Sequence, residues 1–236
     1  MKFRLLAAAT VLTVISSTAS ADFSGTASIT SDYDYRGFAQ SAEGFALQGS
    51  VDYAHDNGFY ASVWGSSLDW GKAYDADIEV DLVVGFSKDI GDSGISWDVG
   101  YIGYLYPGLS SVNFGELYGG FSFGDFGVKL SYANDFAGVG DSAWYIDAGY
   151  THEWESGWSV LVYGGYSFGD AFSYRDGLLF GNTDFFNYGT GLGYTFKQLY
   201  VEAKIVGTNL SGPFEIDSGV FANDLRAVFT ATLSIP

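Results

Sequence analysis

From Phe23 the chain alternates with a period of two. Phe23, Gly25, Ala27, Ile29, Ser31, Tyr33 and Tyr35 occupy odd positions, and Ser24, Thr26, Ser28, Thr30, Asp32, Asp34 and Arg36 lie between them. That spacing puts the two sets on opposite faces of one strand. The reading repeats down the chain. Leu47, Gly49, Val51 and Tyr53 oppose Gln48, Ser50 and Asp52; Ile78, Val80, Leu82 and Val84 oppose Asp77, Glu79 and Asp81; Trp97, Val99 and Tyr101 oppose Ser96 and Asp98. Leu117, Phe121 and Phe123 oppose Glu116 and Tyr118, Val128 and Leu130 oppose Lys129, and Ile146, Ala148 and Tyr150 oppose Asp147. Trp158, Val160 and Val162 oppose Ser159 and Tyr163, and Phe186, Tyr188 and Leu192 oppose Asn187 and glycines. Val201, Ala203 and Ile205 oppose Glu202 and Lys204, and Ala227, Phe229 and Leu233 oppose Arg226 and Thr230. Phe59 to Ser66 counts as a strand without a face assignment. The pattern predicts an all-β chain of about twelve antiparallel strands, each with one uncharged apolar face, as in a transmembrane barrel.

The connections predict which ends of the strands belong together. His55–Gly58, Lys88–Gly94, Gly124–Phe126, Trp154–Gly157 and Lys197–Gln198 are short and turn-rich; Gly37–Gly44, Ser67–Ala76, Tyr106–Ser111, Asn134–Asp141, Phe168–Thr183 and Thr208–Asn223 are mostly longer. Short turns alternating with long outer loops would place both termini in the periplasm. Trp97, Trp154 and Trp158 then fall by the short turns, and Tyr33, Tyr35, Trp64, Trp70 and Trp144 by the outer ends, where aromatic girdles meet headgroups.

The first residues fix the compartment. Lys2 and Arg4 precede an apolar run from Leu5 to Ile15, and Ala19-Ser20-Ala21 is a small-x-small cleavage pattern. Residues 1–21 therefore read as a secretory signal peptide and residues 22–236 as one outer-membrane barrel domain of Gram-negative type. The apolar run is too short for a spanning helix, and the rest of the chain has no longer one, which leaves a soluble exported protein or a barrel.

Composition favours the barrel. The chain holds 18 Tyr, 20 Phe and 6 Trp, with aromatic residues at 19% and charged residues at only 16%. A soluble β-sandwich would expose Tyr- and Trp-rich outer faces to water. Without Lys2 and Arg4 there are 8 basic against 28 acidic residues, which argues against a nucleic-acid partner. There is no cysteine, so disulfide staples and thiolate metal sites are excluded.

Ser31 to Ser66, SDYDYRGFAQSAEGFALQGSVDYAHDNGFYASVWGS, carries Ser31, Tyr33, Arg36-Gly37, Gln40-Ser41, Ala46, Gln48-Gly49, Tyr53, Gly58-Phe59-Tyr60 and Trp64. On these residues the segment resembles the start of the TorF-type porin family of proteobacteria. Glu79, Asp81, Gly85, Gly100-Tyr101, Tyr104, Tyr106-Pro107, Glu116 and Tyr118 extend the likeness. The resemblance implies an outer-membrane barrel acting as a porin, without catalytic residues to carry over. The chain departs from barrels of this kind in ending Leu233-Ser234-Ile235-Pro236 rather than on an aromatic residue.

If the apolar sets face lipid, the opposite sets line the lumen. Candidate lumen carboxylates are Asp32, Asp34, Asp52, Asp77, Glu79, Asp81, Asp98, Glu116, Asp147 and Glu202, against the bases Arg36, Lys129, Lys204 and Arg226. Excess carboxylate lowers the barrier for cations and raises it for anions. The competing reading is internal pairing, with Arg36 and Arg226 as partners for Asp32, Asp34 and Glu202. Asp77-x-Glu79-x-Asp81 is denser than pairing explains and marks an acidic strip. Inward Tyr104, Tyr118, Tyr145, Tyr163 and Tyr200 either stack on solutes or fill a small barrel, and filling is the commoner role.

Catalysis lacks a constellation: His55 and His152, the only histidines, lie at predicted periplasmic turns without a serine nucleophile motif. No cofactor and no metal site are expected. The loop acids Asp69, Asp75, Asp135, Asp141, Asp170, Asp176, Glu215 and Asp217 are read as solvated, with loose Ca²⁺ binding, directly or through lipopolysaccharide, as the alternative. The sequence thus predicts a non-enzymatic, cation-preferring porin for small solutes. Membrane lipid, lipopolysaccharide and the barrel-assembly machinery are its expected partners. A closed barrel with a structural or surface-interaction role is the rival reading.

Overall fold

Alternation of this kind closes on itself when every strand finds two neighbours. The computed structural model describes residues 22–72, 74, 76–173 and 183–236; the candidate signal peptide, Asp75 and Asp176 lie outside them. The strands are β1 (Asp22–Thr30), β2 (Asp34–Tyr35), β3 (Phe38–Ala39), β4 (Ala46–Ala54), β5 (Phe59–Ser67), β6 (Ile78–Asp89) and β7 (Ile95–Leu105). They continue as β8 (Phe114–Phe123), β9 (Phe126–Ala133), β10 (Ala143–Glu153), β11 (Trp158–Phe168), β12 (Phe185–Phe196), β13 (Leu199–Thr208) and β14 (Arg226–Ile235). All but β2 and β3 form one closed antiparallel barrel of twelve strands. β1 closes it, pairing with β14 from Gly25↔Ile235 to Thr30↔Thr230 and with β4 on its other side.

The wall faces follow the alternation. Phe23, Phe45 and Leu47 are 70%, 78% and 66% exposed, and Leu82, Val99, Leu117, Ile146, Leu192, Ile205 and Phe229 are exposed on the same outer surface. No water-soluble fold leaves such a continuous apolar surface uncovered. Phe59 to Ser66 now has faces: Phe59 and Val63 are exposed, whereas Tyr60, Ser62, Trp64 and Ser66 lie on the register positions that pair with inward residues of β4 and β6.

Tyrosine and glycine are abundant because they fit together on the inner wall. Tyr60 is the register partner of Gly85, Tyr118 of Gly100 and Tyr163 of Gly189. Each ring lies where a Cβ on its glycine would stand. Flat rings over bare backbone fill a narrow lumen more closely than two side chains could. Tyr60 and Tyr118 also meet hydroxyl to hydroxyl, and Tyr60 donates to Asp98 at 2.6 Å.

The first strand is shorter than its alternation suggests. It ends at Thr30, and the chain then turns inward, so Tyr33 and Tyr35 are buried within the barrel rather than set in an outer girdle. Trp70 is buried too, and Trp64 packs edge-on against Tyr33 at 5.4 Å; Trp144, Trp154 and Trp158 are exposed. Residues 31–41 are therefore an inserted segment, carrying the small β2–β3 hairpin, rather than part of an outward loop.

Candidate functional site

The inserted segment is held by charge and by aromatic packing. Arg226, the first residue of β14, donates from Nε to Asp32 at 2.7 Å, from Nη2 to Asp34 at 2.5 Å and from Nη1 to the Gly37 carbonyl at 2.8 Å. Ser41 donates to the other Asp32 oxygen at 3.0 Å. Burial pushes the Asp32 carboxyl up from its ordinary value, against the lowering pull of Arg226. Arg36 reaches across the lumen to β8, where one nitrogen lies 2.7 Å from both oxygens of Glu116, and its guanidinium sits 4.0 Å above the Tyr145 ring. This pairing differs from the one expected: Arg36 takes Glu116, Arg226 alone takes Asp32 and Asp34, and Glu202 has Lys204 beside it. The reason is geometric, because the inward turn carries Arg36 past the seam toward the opposite wall.

The turn depends on Arg36 and Gly37, both in the left-handed region with φ of 51° and 91°. A Cβ at Gly37 would press on Thr208 and Asn187, so glycine is required there for space as well as conformation. Beyond the turn, Phe38 meets Phe185 at 5.2 Å, and Ala39 exchanges backbone hydrogen bonds with Phe221 and Ala222. Gln40 accepts from the Trp70 indole at 3.0 Å. Phe136 and Phe172, from short 3-10 turns after β9 and β11, complete this aromatic cluster at the long-loop end.

Under the inserted segment lies a cavity of about 550 Å³ at the end that carries the termini and short turns. Its wall is rich in hydroxyls, among them Ser28, Thr30, Thr230 and Thr232, and its inner end is made by Tyr33, Asp34, Tyr35, Asp81 and Tyr104. Asp52, Glu202 and Lys204 also line it. At its inner end the barrel is tightly packed: Glu79, Asp81, Tyr104 and Glu116 are only 1–2% exposed, too little for a continuous water path between them.

The remaining candidates are scattered. Asp98 is half-buried beside Tyr60, and Asp147 is buried 4.0 Å from Lys129. Asp77 stands outside β6 and is exposed, so the acidic strip reduces to Glu79 and Asp81. Tyr104, Tyr118, Tyr145 and Tyr163 are buried and fill the interior. Apolar residues that the polar-inside rule misses, Val83, Ile102, Leu161, Val206 and Val228, are also buried. His55 accepts from the Asn57 backbone within its turn, and His152 bonds Asp125 at 2.6 Å and packs edge-on against Trp154.

A family model described as a bacterial protein of unknown function (Gcw_chp) matches residues 15–225. No curated protein matches the chain in sequence. Among solved structures, a NanC porin is similar at 12% identity, over 91% of this chain and 100% of that one, with a TM-score of 0.59. A KdgM porin solved in complex with disordered oligogalacturonate is similar at 10% identity, over 91% and 98%, with a TM-score of 0.54. An outer-membrane channel from Pseudomonas putida F1 is similar at 11% identity, over 93% and 96%, with a TM-score of 0.50. At these identities the likeness shows a shared barrel fold.

Proposed function

The chain belongs to the Gcw_chp family of bacterial proteins of unknown function, and on that footing we propose that it is an outer-membrane, porin-like barrel for passive diffusion of small solutes. Its termini and signal-peptide junction would lie on the periplasmic side, its expected partners are lipid and the assembly machinery, and no catalytic step is assigned. The observation that carries the reading is the cavity beneath a latched segment, with hydroxyls and carboxylates in its lining, inside a wall whose outer face is apolar. The barrel fold shared with porins supports it, as does the resemblance of Ser31–Ser66 to the TorF-type family.

Carboxylates outnumber bases along the candidate lumen, and Arg36 and Arg226 are already neutralised by carboxylate partners. Conduction past them is therefore cation-preferring. Planar-bilayer reversal potentials in a KCl gradient test this: the expected sign is that of a potassium-preferring pore, and chloride preference would overturn it. The second reading, a closed barrel with a structural or surface role, is favoured by the packed level at Glu79, Asp81, Tyr104 and Glu116. Purified, folded protein that stays silent in bilayers even after the latch is cut would favour that reading over the first.

A further inference from the structure

The inserted segment leaves and rejoins the wall in unequal ways. It departs from β1 through Ser31, which donates its N–H to the Phe229 carbonyl at 2.8 Å and accepts the Phe229 N–H on its hydroxyl at 2.9 Å. That end is therefore paired to β14 in ordinary extended backbone. The segment rejoins β4 through Ser41–Gly44, where the Gly44 N–H donates to the Ser41 carbonyl at 2.7 Å. Between them Ala42 and Glu43 are both left-handed, with φ of 51° and 60°. Two successive positive φ values closed by a bond across four residues make a type I′ turn. Such turns are normally built from Asn, Asp and Gly. Ala and Glu have neither the short polar side chain nor the missing Cβ that eases this conformation.

Strain of this kind persists where the surroundings impose it. Here both sides of the turn are fixed. Ala46 opens β4 in register with Thr30. Gln40 is held in place by the Asp69 N–H on its carbonyl and the Trp70 indole on its side chain, each at 3.0 Å. The chain must therefore reverse within a few residues, and the Glu43 carboxylate clasps the result by accepting the Gly219 N–H at 2.7 Å. Within itself the segment is one piece. The Gln40 N–H donates to the Tyr33 carbonyl at 2.7 Å, the Tyr33 N–H donates to the Ser41 hydroxyl at 2.9 Å, and Asp34↔Ala39 and Tyr35↔Phe38 pair as strands. Once Arg226 and the loop contacts let go, the segment can move as a unit and the turn can open toward extended backbone, while the Ser31 end stays on β14.

We propose that the inserted segment is a spring-loaded plug: the Ser41–Gly44 turn stores backbone strain while the segment is docked and releases it when the segment swings out about its Ser31 end. The device rests on the diffusion reading for its use, since a plug matters only in a barrel that conducts, but its motion is measurable without conduction.

Hydrogen exchange of the full-chain barrel in lipid nanodiscs, read by mass spectrometry, follows opening at the Ala39 and Gln40 amides, with peptides from β11 and β12 as the reference wall. Ala42→Asn and Ala42→Val introduce side chains of similar size and opposite leaning: Asn tolerates the left-handed region and β-branched Val resists it. Ala42→Asn should slow exchange in the segment roughly fivefold, and Ala42→Val should speed it by a similar factor, with β11 and β12 unchanged. Segment exchange that is unchanged in both variants, or shifted the same way in both, overturns the proposal. So does a shift shared equally by β11 and β12, which would mark a change in whole-barrel stability. The two readings fail separately. Opposite shifts in a barrel that stays silent in bilayers overturn diffusion but not the plug, and conduction with unshifted exchange overturns the plug but not diffusion.

Discussion

The Arg226 guanidinium and the Asp34 carboxylate are joined by a buried ion pair across 192 positions of sequence. This contact pins the inserted segment to the last strand, beside the seam where β1 meets β14. Closure of the barrel and closure of its lumen thus depend on the same residue.

Arg226→Gln should release the segment. It leaves Asp32 and Asp34 without their partner, a loss of about 3–5 kcal/mol for a fully buried pair, less where water replaces the arginine. The expected result is a lower melting temperature together with larger or more frequent conductance steps in planar bilayers. Unchanged conductance and stability would show that aromatic packing alone holds the segment.

The Arg36–Glu116 contact predicts a coupled pair. Arg36→Gln and Glu116→Gln should each destabilise, and the double variant should cost less than their sum, with a coupling of roughly 0.5–3 kcal/mol in urea unfolding from detergent. Strict additivity would mean that Arg36 is held by the Tyr145 ring rather than by the carboxylate.

The inner glycines can be graded against an outer one. Gly100→Ala places a Cβ against the Tyr118 ring and 2.7 Å from the Val84 carbonyl oxygen, a clash that should cost about 1–3 kcal/mol. At Gly119 the nearest atom would be 3.6 Å away, and Gly119→Ala should be close to neutral. Equal effects in a folding assay would deny the ring-on-backbone packing.

Acid should keep the segment docked. Docked, the Asp32 carboxyl lies above its ordinary value because burial outweighs Arg226, with Asp34 adding to the rise and Ser41 opposing it; released into water it returns to about 3.9. The docked form therefore holds the proton more tightly. Between the two values, falling pH favours docking and rising pH withdraws that contribution. The fraction of time spent conducting should fall as a bilayer is acidified from neutral, and less so in Asp32→Asn. A pore that opens with acid contradicts this.

The wall was legible in the sequence because lipid on one side and polar groups on the other impose strict alternation, and Leu82, Leu117 and Leu192 stand where that alternation predicts. The inserted segment was not. Tyr33 and Tyr35 continue the odd-position pattern of β1 without a break, so nothing in the periodicity marks Thr30 as the end of the strand. The available signal was Arg36-Gly37, a charged residue and a glycine where the strand should have reached the membrane boundary. Val206 and Val228 escaped notice for the opposite reason. They face inward, but they meet Leu161 and Tyr163 rather than water, and the polar-inside rule holds only for a lumen that is wet. The Arg226 partners could be anticipated from closure of the terminal strands; Glu116 as the partner of Arg36 could not, since it requires the depth to which the segment descends.

The tyrosines laid over inward glycines also have a bearing on how the barrel is assembled. Sliding β8 along β7 by one position would turn Tyr118 toward lipid, and sliding it by two would drive the ring against Asp98 or Ile102, the inward neighbours of Gly100. Tyr60 meets the same obstacle on β6, where Val83 and Ser87 flank Gly85. Each ring therefore works as a key cut for one notch, proofreading strand alignment as the hairpins zip together.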